Sequence, residues 1–329
     1  MKADVGAGRR FDVCNGDADG LCAVVQWRLQ VPVASTLITG LKRDIELLER
    51  LEPFGLREGD DVLVCDISMQ RNRSALRRLL EQGARVRYFD HHEVRDMPVH
   101  PRLETHIKFD HRCCSSLLMD AALDGALRRW ALVGTYGDNL TEVADALACP
   151  DLSAHDRSRL RQMGEAINYN AYGDDEGDVW VAPARLYQTL VRYRDPLELL
   201  HHETLVDDLI AARRADLKEA ALHTPYWSDE HASVTLLPDA PWSRRVIGCL
   251  ANQLARAQPQ LAHAVLKQRS HGGYVASVRA PLVRPHGAHA LCHRFSGSGR
   301  AAAAGIDHLP FHELHRFVGE FSVHPWGAT

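Results

Sequence analysis

Short apolar runs alternate with amphipathic stretches through the first part of the chain, the pattern of βαβ units built on a parallel sheet. Runs at 10–14, 33–39, 61–66 and 84–90 read as strands. Between them, 18–30 places Leu21, Val24, Val25 and Leu29 on one helical face, while 42–52 and 70–82 read as further amphipathic helices. Helical patterns dominate from about 112 to 195, and 197–222 reads as one long, charge-rich helix of the kind that bridges domains. Beyond Pro225 the period changes, with strands at 231–237, 261–268 and 273–280 and helices at 243–257 and 299–305. No internal repeat is present. The expectation is an α/β protein with a parallel-sheet domain over 1–196, a helical linker over 197–224 and a smaller α/β domain over 225–329.

Four of the apolar runs end in acid. They read Asn15-Gly16-Asp17-Ala18-Asp19-Gly20, Val64-Cys65-Asp66, Phe89-Asp90-His91-His92 and Tyr136-Gly137-Asp138-Asn139. Acids and imidazoles at the C-terminal ends of strands converge where open α/β sheets bind ligands. Oxygen-rich clusters joined by one or two imidazoles suit Mn²⁺ or Mg²⁺ better than thiolate-loving metals. Alternation on an extended tip lets Asp17 and Asp19 approach a pair of cations, and Gly20 permits a tight entry into the helix. The same acids also suit plain helix capping, as do Asp66 ahead of 70–82 and Asp138 before the next helix. A calcium loop is excluded, because its twelfth position, which needs a glutamate, is Arg28. In Asp90-His91-His92 one ring can bind metal and the other face a substrate, while the acid orients a ring. With 19 histidines in the chain, an incidental polar loop is the plain alternative there.

Composition narrows the function classes. At 329 residues two domains are the default. The balance of 39 basic against 43 acidic side chains, net −4, offers no basic face for tracking long DNA or RNA. Eight cysteines without a CxxC pair read as buried free thiols rather than a disulfide framework. Residues 1–10 lack the apolar core of a leader, and no stretch reaches the ~20 apolar residues of a membrane span. A cytoplasmic protein without a membrane partner is expected. His201-His202 and Asp174-Asp175-Glu176 read as solvated, and 168–173 either ends a helix or offers Tyr169 and Tyr172 for base stacking.

Taken together and in this order, the four acidic clusters resemble the motifs of the DHH phosphoesterase superfamily, named for the Asp-His-His seen at 90–92. Phe295-Ser296-Gly297-Ser298-Gly299-Arg300 resembles the glycine-rich motif of that family's C-terminal domain, and Ser277-Val278-Arg279 its arginine-bearing strand. The resemblance spans about 10–325 and implies an active site in a cleft between the two domains. It implies two divalent cations, Mn²⁺ or alternatively Mg²⁺, held by Asp17, Asp19, Asp66, His91 and Asp138. Asp66 would bridge them, His92 would meet the scissile phosphate or leaving group, and Asp90 would steer a ring. Ser277, Arg279, His286, Gly297, Ser298, Gly299 and Arg300 would hold the far end of the substrate. Two departures stand out. Many members open the first motif with a metal-binding histidine, where this chain has Val13, Cys14 and Asn15, which leaves the first metal to Asn15 or solvent. Arg300 replaces the usual histidine after the last glycine, and arginine can grip a phosphate bidentately. The activity implied is a phosphodiesterase for very short oligoribonucleotides, such as dinucleotides or linear pGpG and pApA. A nucleotide 3′-monophosphatase, a cyclic-dinucleotide phosphodiesterase and an inactive nucleotide-binding sensor are the alternatives. The oligomeric state is open, a homodimer included.

Overall fold

The computed structural model describes residues 8–327, so most of the polar N-terminal stretch that argues against a leader lies outside the described residues. The first compact unit runs through Ala171 and includes Asp175–Ile210; the second comprises Tyr172–Asp174 and the chain from Ala211 onward.

The first unit alternates β1 (Arg10–Asn15), α1 (Ala18–Gln30), β2 (Thr36–Gly40), a 3-10 segment (Leu47–Phe54), β3 (Asp61–Cys65), α2 (Arg73–Glu81), β4 (Arg85–Asp90) and β5 (Leu103–Ile107). The strands form one wholly parallel sheet in the order β2-β1-β3-β4-β5. Period-two alternation sends Cys14, Leu63, Cys65 and Phe89 to one face and Phe11, Val13, Val62, Val64, Val86 and Tyr88 to the other. Both faces are covered, as parallel sheets require. On one side lie α1, α3 (Ser115–Ala122), α4 (Arg128–Gly137), α6 (Ala154–Asn170) and α7 (Pro183–Leu190), with the shorter α5 (Thr141–Ala146) beside α4. The strand order reverses between β1 and β3, and their C-terminal tips carry the 15–20 turn and Asp66.

Sequence and structure differ at four places in regular structure. Only the end of the 42–52 stretch is helical, and β5 lacks the apolar signature of a buried strand because it lies at the sheet edge. The long 197–222 helix is two helices, α8 (Pro196–His202) and α9 (Leu205–Ala220). The break comes at Glu203, which is extended and whose carboxylate accepts from Tyr193 Oη (2.8 Å) and pairs with Arg192. His201 and His202 are exposed, as expected.

The second unit holds β6 (Trp227–Ser228), β7 (Ala232–Leu237), α10 (Pro241–Ala257), β8 (Ala262–Gln268), β9 (Tyr274–Arg279), α11 (Ala288–His293), β10 (Ser298–Gly299), β11 (Ala303–Leu309) and α12 (Leu314–Ser322). Its mixed sheet runs β10-β11-β9-β8-β7-β6, with β7 and β8 parallel across α10. The fourth difference is here: 299–305, expected as an alanine-rich helix, is a β-hairpin pairing Ser298 with Gly305 and Gly299 with Ala304. Alanine's helix preference is weak and yields to the ladder that β11 makes with β9, while Ser296 at φ 59° and Gly299 at φ 146° break any helix. The 174–176 loop is solvated at Asp175 and Glu176, as expected, while half-buried Asp174 is tied down by the buried Lys267, whose Nζ donates to its Oδ2 (2.7 Å). All eight cysteines are free, and among the described residues no helix is long and apolar enough to cross a membrane.

A charge pair is sealed into the first core. Arg28 Nε donates to Asp12 Oδ2 (2.6 Å) and its Nη2 donates to Oδ1, with Ser35 Oγ donating to the same carboxylate (2.6 Å). Asp12 is wholly buried and Arg28 nearly so. Asp12→Asn, which strands the guanidinium, should lower unfolding free energy by about 3–5 kcal/mol in urea titrations. The double replacement Asp12→Leu with Arg28→Met should recover most of that loss, because neither charge is then buried alone.

Candidate metal centre

The turn after β1 is built from its own side chains. Asn15 Oδ1 accepts from Asp17 N–H (3.2 Å), and Asp17 Oδ1 accepts from Gly20 N–H (3.1 Å), so Asp17 caps α1. A Cβ on Gly20 would lie 2.4 Å from the Asn15 carbonyl oxygen, so this turn takes glycine alone. Asp19, in the first turn of α1, receives the Ser116 N–H on Oδ1 and the Ser115 N–H on Oδ2, both at 2.7 Å. It thereby places negative charge on the N-terminus of α3, where the helix dipole favours it. Asp138 follows α4, whose glycines let it approach: a Cβ on Gly134 would meet Ser116 Oγ at 2.1 Å, and one on Gly137 would meet Ala18 Cβ at 2.2 Å.

Asp66 leaves β3 with φ 56°, a left-handed conformation that asparagine and aspartate tolerate best, while its N–H still donates to Phe89 O (2.9 Å). Such backbone costs of order 1–3 kcal/mol and concentrates at functional sites. The turn sets Asp66 Oδ1 3.3 Å from His91 Nε2, with Asp19 Oδ2 at 3.9 Å from the same nitrogen. His91 Nδ1 lies 2.9 Å from the Cys113 carbonyl and 4.0 Å from Asp138 Oδ2. A carbonyl only accepts, so Nδ1 carries the proton, and Nε2 is directed at two carboxylates. That face of the ring requires positive charge between it and the acids, from a proton or a metal.

Asp90 has another task. Buried completely, its Oδ1 accepts from the N–H groups of His91 (2.9 Å) and His92 (3.2 Å) and from His92 Nδ1 (2.6 Å), and its Oδ2 from Met69 N–H (3.3 Å). It fixes the His92 ring and leaves Nε2 of that half-exposed side chain open. Ligand atoms of Asp66, His91 and His92 all lie within 4.8 Å of one another.

Electrostatics agree with a cation site. Burial pushes the Asp66 carboxyl well above the usual range, and the charges of Asp17 and Asp19 push it further. Asp19 is raised by burial too, with Asp138 and Asp17 adding to the rise against the opposing effect of His91. Burial also raises Asp17, but Lys42, whose ammonium pairs with its Oδ2, outweighs this and leaves Asp17 below its ordinary value. Burial opposes a proton on His92, yet Asp90 prevails and its pKa is raised. The donors thus fit a divalent cation: buried carboxylates with an imidazole whose second nitrogen is anchored.

Asp17, Asp19, Asp66, His91 and Asp138 thus come to one sheet edge with the Asp90-anchored His92, and Asn15 Oδ1 accepts the Asp17 N–H on one of its two lone pairs. The sequence reading missed Lys42 and the Cys113 carbonyl, and it took in Asn168 only as part of the 168–173 stretch. Lys42 had one available signal, its place just beyond β2, the strand beside β1.

In the second unit, Arg279 donates through Nε to Asn252 Oδ1 (2.7 Å) and through Nη1 to Ser277 Oγ (3.0 Å) and Val278 O (2.9 Å). Among the described residues it has no carboxylate partner. Burial lowers its pKa, and the nearby Arg300 lowers it further against Tyr172. A desolvated guanidinium held by neutral groups is chemically suited to an anion. The turn at Gly297, Ser298 and Gly299 belongs to the β10–β11 hairpin. His286 is placed by its backbone, its N–H donating to Arg284 O (2.7 Å) and its carbonyl accepting from Gly327 N–H (3.1 Å). Tyr169 is unavailable for base stacking, since it is fully buried with its hydroxyl accepting from Trp180 Nε1 (2.9 Å).

A raised carboxyl pKa has a thermodynamic sign. Between the unfolded value of about 3.9 and its raised folded value, native Asp66 binds more protons than the unfolded chain, so it destabilises the fold increasingly as pH rises. Without metal, Asp66→Asn should therefore melt higher than wild type at pH 7–8, the gap closing toward about pH 4. Added Mn²⁺ should reverse the order, as read by calorimetry.

No family model matches the chain, and no curated protein does. Among solved structures it is similar to a manganese-bound exonuclease RecJ, at 18% identity and TM-score 0.60 over 97% of this chain and 92% of that one. RecJ from Thermus thermophilus in complex with Mn²⁺ matches at 18% identity and TM-score 0.59, over 96% of this chain and 51% of that one. A pGpG-specific phosphodiesterase, PggH from Vibrio cholerae, matches at 13% identity and TM-score 0.54, over 94% and 96%. The parallel five-stranded sheet followed by a mixed sheet is the two-part α/β fold of these structures.

Proposed function

We propose that this protein is a metal-dependent phosphodiesterase that hydrolyses very short oligoribonucleotides, dinucleotides and linear pGpG- or pApA-type products, to mononucleotides. The observation that carries this reading is the pairing of two differently anchored imidazoles beside a buried acid cluster: His91 turned toward carboxylates, His92 fixed by Asp90 with Nε2 open. The fold shared with a RecJ exonuclease and a pGpG-specific phosphodiesterase supports phosphodiester chemistry.

Asp17, Asp19, Asp66, His91 and Asp138 would hold two divalent cations, with Asn15 at the margin, and mixed carboxylate and imidazole donors favour Mn²⁺. When bound, such ions lower the pKa of a water nucleophile and neutralise charge on the phosphoryl oxygens. His92 Nε2, kept protonated to higher pH by Asp90, would donate its proton to the leaving oxygen as the ester bond breaks. Asp90 holds that ring in place through Nδ1. Arg279 and Arg300, with Ser277 and the Gly297–Gly299 backbone, would bind an anionic group of the substrate. The net charge of −4 favours a short substrate over a long polymer.

Cleavage of labelled RNAs from two to about ten nucleotides, beside cyclic dinucleotides, tests the reading. Mn²⁺-dependent turnover should be strongest on dinucleotides and vanish in Asp66→Ala and His91→Ala. Full-rate degradation of long single-stranded DNA would sink the short-substrate reading, and metal binding without cleavage of any nucleotide would favour a sensor. Asp90→Asn should cost about 10–100-fold in rate. Since Asp90 raises the His92 pKa, the alkaline limb of the pH–rate profile should move to lower pH in that variant.

A further inference from the structure

One cation is already part of the acid cluster. Lys42 follows β2, and the turn that presents it is fixed twice, by Leu41 N–H donating to Asp44 Oδ2 (2.9 Å) and by Lys42 N–H donating to Ala171 O (3.0 Å). Its ammonium pairs with Asp17 Oδ2 and donates to Asn168 Oδ1 (3.2 Å), a side chain that is itself nearly buried. Asp17 is 2% exposed and the Lys42 side chain 31%, so the ammonium reaches a buried carboxylate from the edge of the cluster. The neighbouring donor on that side is weak: Asn15 is a neutral amide, and its oxygen already receives the Asp17 N–H. On the other side, Asp66, Asp19 and Asp138 lie around His91, and the Lys42 ammonium acts on Asp66 only through its charge, without the hydrogen bond it makes to Asp17. The two halves of the centre are therefore chemically unequal.

We propose that Lys42 occupies the Asp17 side of the centre as a built-in cation. The protein then binds one divalent ion tightly through Asp66, Asp19, His91 and Asp138, and admits a second at Asp17 only as Lys42 gives up that carboxylate. An ammonium in contact with Asp17 repels a dication sharing the same oxygens, and low local dielectric strengthens the repulsion. An arriving phosphate, being an anion, competes with Asp17 for the ammonium, so substrate binding and loading of the second ion favour each other. Lys42 is in this sense a positioning residue, acting through Asp17. The inference rests on the metal-dependent reading above.

Mn²⁺ titration of the substrate-free protein, followed by electron paramagnetic resonance of the free ion, tests it without reference to turnover. Wild type should show one tight ion and a second at least about tenfold weaker. Lys42→Met, which keeps length and removes charge, should tighten the weak class by about tenfold or more and the tight one by clearly less, while Lys42→Arg should keep the inequality. Should Lys42→Met fail to fold by circular dichroism, Lys42→Gln serves the same comparison. Two equal sites in wild type, or a weak class indifferent to removing the ammonium, would overturn the role of Lys42 and leave the phosphodiesterase reading standing. No Mn²⁺ binding at all would overturn both.

Discussion

Several carboxylates crowd the C-terminal edge of one parallel sheet, and burial removes the water that would screen them. This like-charge pressure organises the first unit. It raises Asp66 and Asp19, draws Lys42 toward Asp17, and turns a histidine ring toward the acids with its other nitrogen tied to a carbonyl. Backbone N–H groups offset part of the pressure on Asp19, and a divalent ion bound there would relieve the remainder. A site of this kind is strained without its ion and stabilised by it, which couples metal affinity to folding.

The scaffold must bring those groups close without adding bulk. The reversal of strand order between β1 and β3 opens a place for them at the strand tips. Missing side chains at Gly20, Gly134 and Gly137 allow the turn after β1 and the helix before Asp138 to press against their neighbours. The left-handed backbone at Asp66 then redirects its carboxylate while the ladder to β4 continues through its N–H. Precision comes from contacts around the clustered acids and imidazoles as much as from those groups. Asp90 shows this best, with both oxygens committed to neighbouring N–H groups and an imidazole.

Much of this was legible from residue order alone. Alternation and helical periodicity are local, so β1, β3, β4, α1 and the strands β7, β8 and β9 were readable from short windows. The acids at the strand tips were readable for the same reason, since a parallel sheet places those tips on one edge. The alanine run at 301–304 misled because its helix preference is worth less than the β11–β9 ladder, whose partner lies far back in the chain. The break at Glu203 depends on Arg192 and Tyr193, and the anchoring of Asp174 depends on Lys267, neither of which a local window contains.

The sequence by itself determined the α/β alternation, the acids and imidazoles available to a metal, and their order along the chain. Only the tertiary structure decided how they divide their work. It made His92 the ring that Asp90 orients, set the proton of His91 on Nδ1 through the Cys113 carbonyl, and placed Lys42 against Asp17. The reason is one of range. Residue type and period act over a few positions, whereas tautomers and ion pairs are set by groups that only folding brings within hydrogen-bond reach.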